Sequence, residues 1–269
     1  MPQEAINQNP VFIDAAKAIN TSSGWDVSFS STFNAMINPL AKVCLAGVIW
    51  YQGEANLANG NHYADMFKAM IESWRRLFSN EMLPFYYVQI APYARYKFAS
   101  RAAAQVREQQ FIVSQLVPYV GMVAIPDYVD NIRDIHPVYK KPVGDCLANW
   151  ALSETYGKNN LVYKHPFFDK MEIEKSKIRI WLKNAETGLV NKGTDILTLE
   201  IADESMNFVP AKGRIDNKTN TLLVYSNKIK KPVAVRYSFS NDAIGNLFAN
   251  NGLPVLPFRT DSCTINIYK

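Results

Sequence analysis

The sequence is poor in the residues that build disulfide frameworks and metal centres. It contains three cysteines and three histidines in 269 residues. Cys44, Cys146 and Cys263 lie far apart, and two of them fall in apolar segments, so we expect buried thiols rather than disulfides. No cysteine or histidine spacing is typical of metal ligands, and the sequence therefore predicts no metal site.

Long apolar runs and clusters of one charge are also missing. No run reaches the roughly 18 apolar residues that suggest a membrane-spanning helix, and residues 1–4 do not begin a secretory signal. The net charge of +5 is spread over short basic pairs, so we expect no nucleic-acid partner. A hydrophobic fraction of 48% and a charged fraction of 20% are ordinary for a globular protein. The composition thus favours neither membrane nor nucleic acid as a partner.

One apolar stretch, residues 43–51, ends abruptly in polar side chains. A run without any charge is typical of a parallel strand covered on both faces, and we expect a buried strand here. Gln52, Glu54 and Asn56 follow it at the carboxyl end, where open parallel sheets bind their ligands. Gly53 between them permits a sharp turn or a close backbone approach.

Helical and strand patterns then alternate along the chain. Strands are predicted at residues 85–90 and 119–125, and helices at 63–78, 102–116 and 141–156, with a shorter helical turn at 15–19. This alternation predicts an α/β fold with a parallel sheet between helices. A sheet of three strands would be small for a fold of this kind.

Two loops follow the second and third predicted strands at their carboxyl ends. The first carries Tyr93 and Arg95, which could line a sugar pocket, although an exposed aromatic loop without a ligand fits equally well. The second, residues 127–137, places His136 among three aspartates. A histidine acting as general base needs a carboxylate to orient its ring, and Asp134 or Asp130 could serve.

Beyond about residue 160 the pattern changes to short alternating segments separated by turn residues. Such segments predict antiparallel strands arranged like a β-sandwich. We therefore expect two domains, an α/β domain at residues 1–160 and an all-β domain at residues 161–269.

Several of these segments resemble the sialate O-acetylesterase family, carbohydrate esterases of the SGNH-hydrolase type. The resemblance rests on Gly-Val-Ile-Trp-Tyr-Gln-Gly-Glu-Ala-Asn at residues 47–56 and Asn-Ala-Met-Ile-Asn-Pro-Leu at residues 34–40. It also rests on Asp-Ile-His-Pro at residues 134–137 with the helix that follows, and on residues 246–261. It therefore covers residues 34–261. Asp134 lies two residues before His136, whereas most SGNH hydrolases have an Asp-x-x-His spacing.

The resemblance implies a fold and a set of roles. It implies an SGNH-like, flavodoxin-like parallel sheet that is incomplete at its N-terminal side, followed by the β-sandwich-like domain. It also implies removal of acetyl groups from sialic acid or a related sugar without a cofactor, in a periplasmic or extracellular location. His136 with Asp134 would be catalytic, and Gln52 would donate to the oxyanion. The residues that bind the substrate or stabilise its binding loops would be Glu54, Asn56, Tyr93 and Arg95.

The nucleophile of the family is missing from the sequence. Its serine lies in a Gly-Gln-Ser-Asn block, and only the weak candidates Ser23, Ser114 and Ser153 occur here, the last two within predicted helices. We therefore expect a fragment that is inactive alone and that forms a homo-oligomer or pairs with a missing N-terminal segment. The alternatives are a non-catalytic carbohydrate-binding fragment and an acetylxylan-type esterase.

Overall fold

The computed structural model describes residue 13 and residues 30–267 of the chain. The first part alternates strands with helices: β1 (Val48–Tyr51), α1 (Tyr63–Leu77), β2 (Phe85–Val88), α2 (Ala102–Leu116), β3 (Val120–Val123) and α3 (Lys140–Trp150). A 3-10 helix at Glu54–His62 joins β1 to α1, and a π-helical turn at Ala151–Thr155 extends α3. The predicted α/β pattern is confirmed, while the predicted turn at 15–19 lies outside the described residues.

In the described part of the chain, β1, β2 and β3 form a parallel sheet with β2 in the middle. All four residues of β2 are buried because helices cover both of its faces. Phe85 and Tyr87 face the core that contains α1 and α2. Tyr86 and Val88 face the smaller core formed with α3.

Helix α1 shows why the apolar periodicity predicts this packing. Its buried side chains Tyr63, Phe67 and Ile71 are spaced four residues apart and lie on one face. Phe67 makes an edge-to-face contact with Tyr87 of β2, with ring centroids 4.9 Å apart. The helix is thus held on the sheet by an aromatic core.

Strand β1 differs from the prediction in length and in burial. It begins only at Val48, and the Ile49 side chain is 70% exposed. Cys44, expected to be a buried thiol, is exposed as well. The reason is position, because β1 is the edge strand and has a single neighbour among residues 30–267. A parallel strand is buried on both faces only when the sheet continues beyond it.

The second part consists of short antiparallel strands, as predicted. They are β4 (Phe167–Glu174), β5 (Lys177–Lys183), β6 (Leu189–Asn191), β7 (Leu199–Ala202), β8 (Val209–Pro210), β9 (Lys212–Asp216), β10 (Thr221–Tyr225), β11 (Ala234–Tyr237), β12 (Leu247–Ala249) and β13 (Phe258–Arg259). Among the described residues they pair in the orders β4-β5-β10-β9, β13-β11-β7-β8 and β12-β6. Ile180 and Leu222 of the first sheet share one core with Ile201 and Val235 of the second.

Helix α2 and Arg101, the residue before it, join the two parts through charged side chains. Arg101 donates two hydrogen bonds to Glu200, both at 2.9 Å, and Glu108 accepts two from Arg259, at 2.7 and 2.9 Å. Arg107 is fully buried and donates to the backbone carbonyls of residues 240 and 241, and burial lowers its pKa to about 10. The two parts therefore pack closely, and a domain boundary at residue 160 stays a prediction.

Candidate active site at the carboxyl ends of the parallel strands

The loop after β1 is shaped by a close approach to β2. A Cβ atom on Gly53 would lie 2.6 Å from Cγ2 of Ile90, which is closer than real contacts allow. Gly53 therefore lets the chain turn tightly against the end of β2, and the 3-10 helix begins at the next residue. This turn places Gln52, Glu54 and Asn56 together at the carboxyl edge of the sheet.

Two side chains that the sequence analysis did not identify hold this loop. Gln110 of α2, fully buried, accepts a hydrogen bond from the backbone of Ile90 at 2.9 Å and donates to the carbonyl of Gln52 at 3.2 Å. The hydroxyl of Tyr63 donates to the same carbonyl at 2.9 Å. Gln110 therefore ties the ends of β1 and β2 together. The sequence clue was a glutamine among buried apolar residues of a helix, where an unpaired amide would be costly.

The side chain of Gln52 is oriented by its neighbours. Its Nε2 donates to Oδ1 of Asn56 at 2.6 Å, and the Tyr63 hydroxyl lies 3.4 Å from its Oε1. A primary amide has two N–H donors, so one N–H remains for another acceptor. The arrangement can thus present a fixed amide donor at the edge of the sheet.

Glu54 lies among tyrosines. Burial raises the pKa of Tyr51 and of Tyr96, and the negative charge of Glu54 raises both further. Burial is also the main reason why the pKa of Tyr63 rises to about 12. Among residues 30–267, the Glu54 carboxylate makes no hydrogen bond or ion pair, whereas Asn56 bonds Gln52. Glu54 therefore adds negative charge beside three neutral phenols.

The loop after β2 brings two more predicted residues to the same edge. Tyr93 is half-buried and packs edge-to-face on Tyr96, with ring centroids 4.8 Å apart. The buried hydroxyl of Tyr96 has no hydrogen-bond partner in the described part of the chain. Arg95 is exposed. Tyr93 is thus anchored, and Arg95 lies on the open surface of the loop.

His136 lies on an exposed turn of the loop after β3. Its side chain is 85% exposed, and its Nδ1 is 3.9 Å from Oδ1 of Asp134, beyond hydrogen-bond reach. The same Asp134 oxygen accepts the backbone N–H of His136 at 2.9 Å. Asp130 instead accepts the backbone N–H of Val138 at 3.3 Å. Asp134 is therefore the nearer carboxylate, although it now bonds the backbone rather than the ring.

This loop crosses from β3 back toward β1. The backbone N–H of Ala94, in the loop after β2, donates to the carbonyl of Ile132 at 2.8 Å. Farther on, the ammonium of Lys140 lies over the ring of Tyr51, 5.1 Å from its centroid. The three loops that carry the predicted site residues thus follow the carboxyl ends of β1, β2 and β3. Within the described residues, however, no hydrogen bond joins His136 to Gln52.

Asp127, the first aspartate after β3, is half-buried. Burial raises its pKa, and its Oδ1 has no hydrogen-bond partner within residues 30–267. It caps neither the His136 turn nor the Gln52 loop. One oxygen of this carboxylate is therefore an unsatisfied acceptor in the loop after β3.

Neither Ser114 nor Ser153 sits on a turn suited to a nucleophile. The Ser114 hydroxyl lies in α2 and donates to the carbonyl of Phe111 at 2.6 Å. Ser153 lies in the π-helical turn with its hydroxyl buried, and Ser23 is outside the described residues.

In the described part of the chain, no group of three or more histidine, cysteine, aspartate and glutamate side chains could hold a metal ion. No helix in that same part is long and apolar enough to cross a membrane.

The histidine that is buried, His165, has a structural role that the sequence did not reveal. Its Nε2 accepts the backbone N–H of Ala124 at 3.1 Å, and its Nδ1 lies 3.1 Å from the carbonyl of Pro254. Burial lowers its pKa to about 4. His165 therefore stays neutral at physiological pH and links β3 to the second part.

Hydrolases that act by acyl transfer use a histidine beside a carboxylate together with an oriented amide. In this chain these groups follow the carboxyl ends of parallel strands. Comparison with known proteins agrees with this class. The model of the family "carbohydrate esterase, sialic acid-specific acetylesterase" matches residues 8–139. Residues 8–139, about half of the chain, are thus similar to this family.

Relatives match over most of this chain but over only part of their own length. The mouse sialate O-acetylesterase is 29% identical over 230 residues, which are 78% of this chain and 42% of the mouse protein. The human enzyme is also 29% identical, over 78% of this chain and 44% of its own length. A crystal structure of a carbohydrate acetylesterase from Xanthomonas citri superposes with a TM-score of 0.79 at 35% identity, covering 86% of this chain and 53% of that one. This chain thus spans less than half the length of the curated relatives.

Proposed function

We propose that this chain carries the histidine and the oxyanion amide of a carbohydrate O-acetylesterase that removes acetyl groups from sialic acid or a related sugar. The observation that carries the proposal is the oriented amide of Gln52, within the segment matched by the family model. The sheet belongs to an SGNH-type fold, and the enzyme works in the periplasm or outside the cell.

The nucleophile comes from outside these 269 residues. No Gly-Gln-Ser-Asn block occurs in the sequence, and Ser114 and Ser153 lie in helical segments. The serine hydroxyl attacks the acetyl carbonyl while His136 accepts its proton. As the bond to the sugar breaks, His136 gives the proton to the departing sugar oxygen, which leaves as a hydroxyl, and water then hydrolyses the acetyl-serine ester to release acetate.

The free N–H of Gln52 donates to the oxygen that becomes negative when the tetrahedral intermediate forms. An amide held by Asn56 needs little reorganisation, and this preorganisation makes such donors effective. Removal of one such donor typically costs about 100-fold or more in rate. Asp134 orients His136 once the ring moves the short distance needed to bond the carboxylate.

The exposure of His136 fits this proposal. A general base works best where water is excluded, and an 85% exposed ring lacks that environment. The segment that brings the serine would also cover the ring. The same exposure favours a second candidate, a carbohydrate-binding fragment that cleaves no ester.

The purified chain tests both candidates. We expect it to hydrolyse 4-nitrophenyl acetate no faster than its His136→Ala variant, since the nucleophile is absent. Protein isolated from the source cells by antibody should carry a longer chain or a partner, should label with a fluorophosphonate, and should release acetate from O-acetylated sialic acid. If that material neither labels nor releases acetate, the binding fragment is correct. If the purified chain alone hydrolyses the ester through His136 and labels at one of its own serines, the external nucleophile is wrong.

A further inference from the structure

A cavity of about 460 Å³ lies at the outer edge of β3, the edge of the sheet that is farther from β1. Phe111 and Gln115 of α2 line one side, Trp150 of α3 lines another, and Lys164 and Phe167 close it from the second part. None of the residues proposed for ester hydrolysis lines it. Its volume is that of an ordinary small-molecule site.

Trp150 has a fixed place in the wall of this cavity. A Cβ atom on Gly121 would lie 2.3 Å from Cε3 of Trp150, so the glycine lets the indole lie directly on β3. The ring stacks on Tyr86 with centroids 6.0 Å apart and meets Tyr163 edge-on at 4.9 Å. Its buried Nε1 has no hydrogen-bond partner in the described part of the chain. A rigid aromatic ring and an unused N–H donor thus lie together.

Polar groups surround the aromatic wall. Lys164 and Glu154, both lining the cavity, form an ion pair at 2.9 Å, and the Tyr163 hydroxyl donates to Glu154 at 2.8 Å. Hydrogen bonding from Lys164 lowers the pKa of Glu154, so the pair is charged at neutral pH. Gln115 adds an exposed amide. The cavity thus offers hydrogen-bond donors and acceptors, while the Lys164–Glu154 pair carries no net charge.

We propose that this cavity binds a neutral pyranose ring, as a second carbohydrate site apart from the predicted ester-hydrolysing site. Flat aromatic rings pack against the C–H faces of a sugar, and the surrounding polar groups bond its hydroxyls. A purely apolar ligand would cover the charged groups of Lys164 and Glu154 without forming hydrogen bonds to them. An anionic ligand would approach the carboxylate of Glu154. The choice of a sugar as the ligand class rests on the proposed function.

The indole N–H of Trp150 gives a direct test. The full chain contains five tryptophans, so protein labelled with ¹⁵N-tryptophan should give five indole resonances, with that of Trp150 assigned by its loss in Trp150→Phe. Titration with xylobiose should move this resonance saturably, with millimolar affinity, and leave the resonance of Trp50 unchanged. N-acetylneuraminic acid serves as the anionic probe. The measurement involves no ester hydrolysis, so its failure is separate from failure of the proposed function.

Variants on the rim of the cavity identify the site. Gln115→Ala and Lys164→Ala should each weaken xylobiose binding about threefold or more, while Gln109→Ala, on the same helix but outside the cavity, should not change it. Equal melting temperatures of the three variants would exclude an effect of unfolding. No shift of the Trp150 resonance with either sugar would overturn the site. A shift with N-acetylneuraminic acid alone would overturn its assignment to a neutral sugar.

Discussion

Replacing Gln110 by alanine should destabilise the protein because this one amide joins two strands and a helix. The side chain is fully buried, accepts the Ile90 N–H at 2.9 Å and donates to the Gln52 carbonyl at 3.2 Å. In Gln110→Ala the Ile90 N–H loses its acceptor, and a buried unsatisfied group costs about 1–3 kcal/mol. The Gln52 carbonyl keeps the Tyr63 hydroxyl at 2.9 Å, so its loss is smaller. The cavity left by the side chain adds to the cost.

Together these effects predict a loss of about 2–4 kcal/mol in the free energy of unfolding. For a chain of this size, each kcal/mol lowers the melting temperature by about 2–4 °C, which gives roughly 5–15 °C. Thermal unfolding followed by circular dichroism, with urea titration, measures both quantities. The control is Gln109→Ala, the adjacent half-buried residue of α2, which should change stability by less than about 0.5 kcal/mol. If the two variants unfold alike, Gln110 does not join the strands as described.

Three further predictions follow from other parts of the molecule. In an assembly that releases acetate, Gln52→Ala should lower kcat far more than it changes KM, because an oxyanion donor acts mainly in the transition state. A higher KM at constant kcat would instead make Gln52 a substrate-binding residue. Light scattering should show that the wild-type chain forms dimers or larger species at micromolar concentration. Ile49→Lys, on the exposed edge strand β1, should shift the protein toward monomer. A monodisperse wild-type monomer would contradict this prediction. The pKa of His165 falls from 6.5 to about 4 on folding, so the unfolded chain binds more protons between these values. About 3 kcal/mol of stability should therefore be lost as the pH falls from 6.5 to 4, and His165→Gln should flatten this part of the melting-temperature profile; an unchanged slope would refute the assignment.

The parts of the fold with a repeating pattern could be predicted from the sequence. Helix α1 lies at the predicted residues to within one position, because its buried side chains Tyr63, Phe67 and Ile71 recur at helical spacing. The predicted length of β1 was wrong, because an uncharged run has the same pattern in a central strand and in the segment that leads into an edge strand. Ile49 is apolar and yet exposed, and only the position of β1 in the sheet explains this.

For the candidate site, the sequence could predict which residues lie at the carboxyl edge but not how they are held. Gln52 and His136 follow β1 and β3, as strand order requires. Gln110 and His165 could not be assigned because their partners are distant in sequence, 20 residues away at Ile90 for one and 41 away at Ala124 for the other. Hydrogen bonds at such separations depend on the tertiary fold, which local patterns do not specify.

The charged contacts of α2 bear on how this protein can be divided. A chain cut near residue 160 would keep α2 but lose the carbonyls of residues 240 and 241 that Arg107 contacts. It would also leave Arg101 and Glu108 without Glu200 and Arg259. Removing the partners of a buried charge typically costs about 3–5 kcal/mol, a large share of a domain's total stability. We therefore expect the α/β part to be much less stable without the antiparallel sheets, and exchanging these sheets between relatives should require exchanging α2 with them.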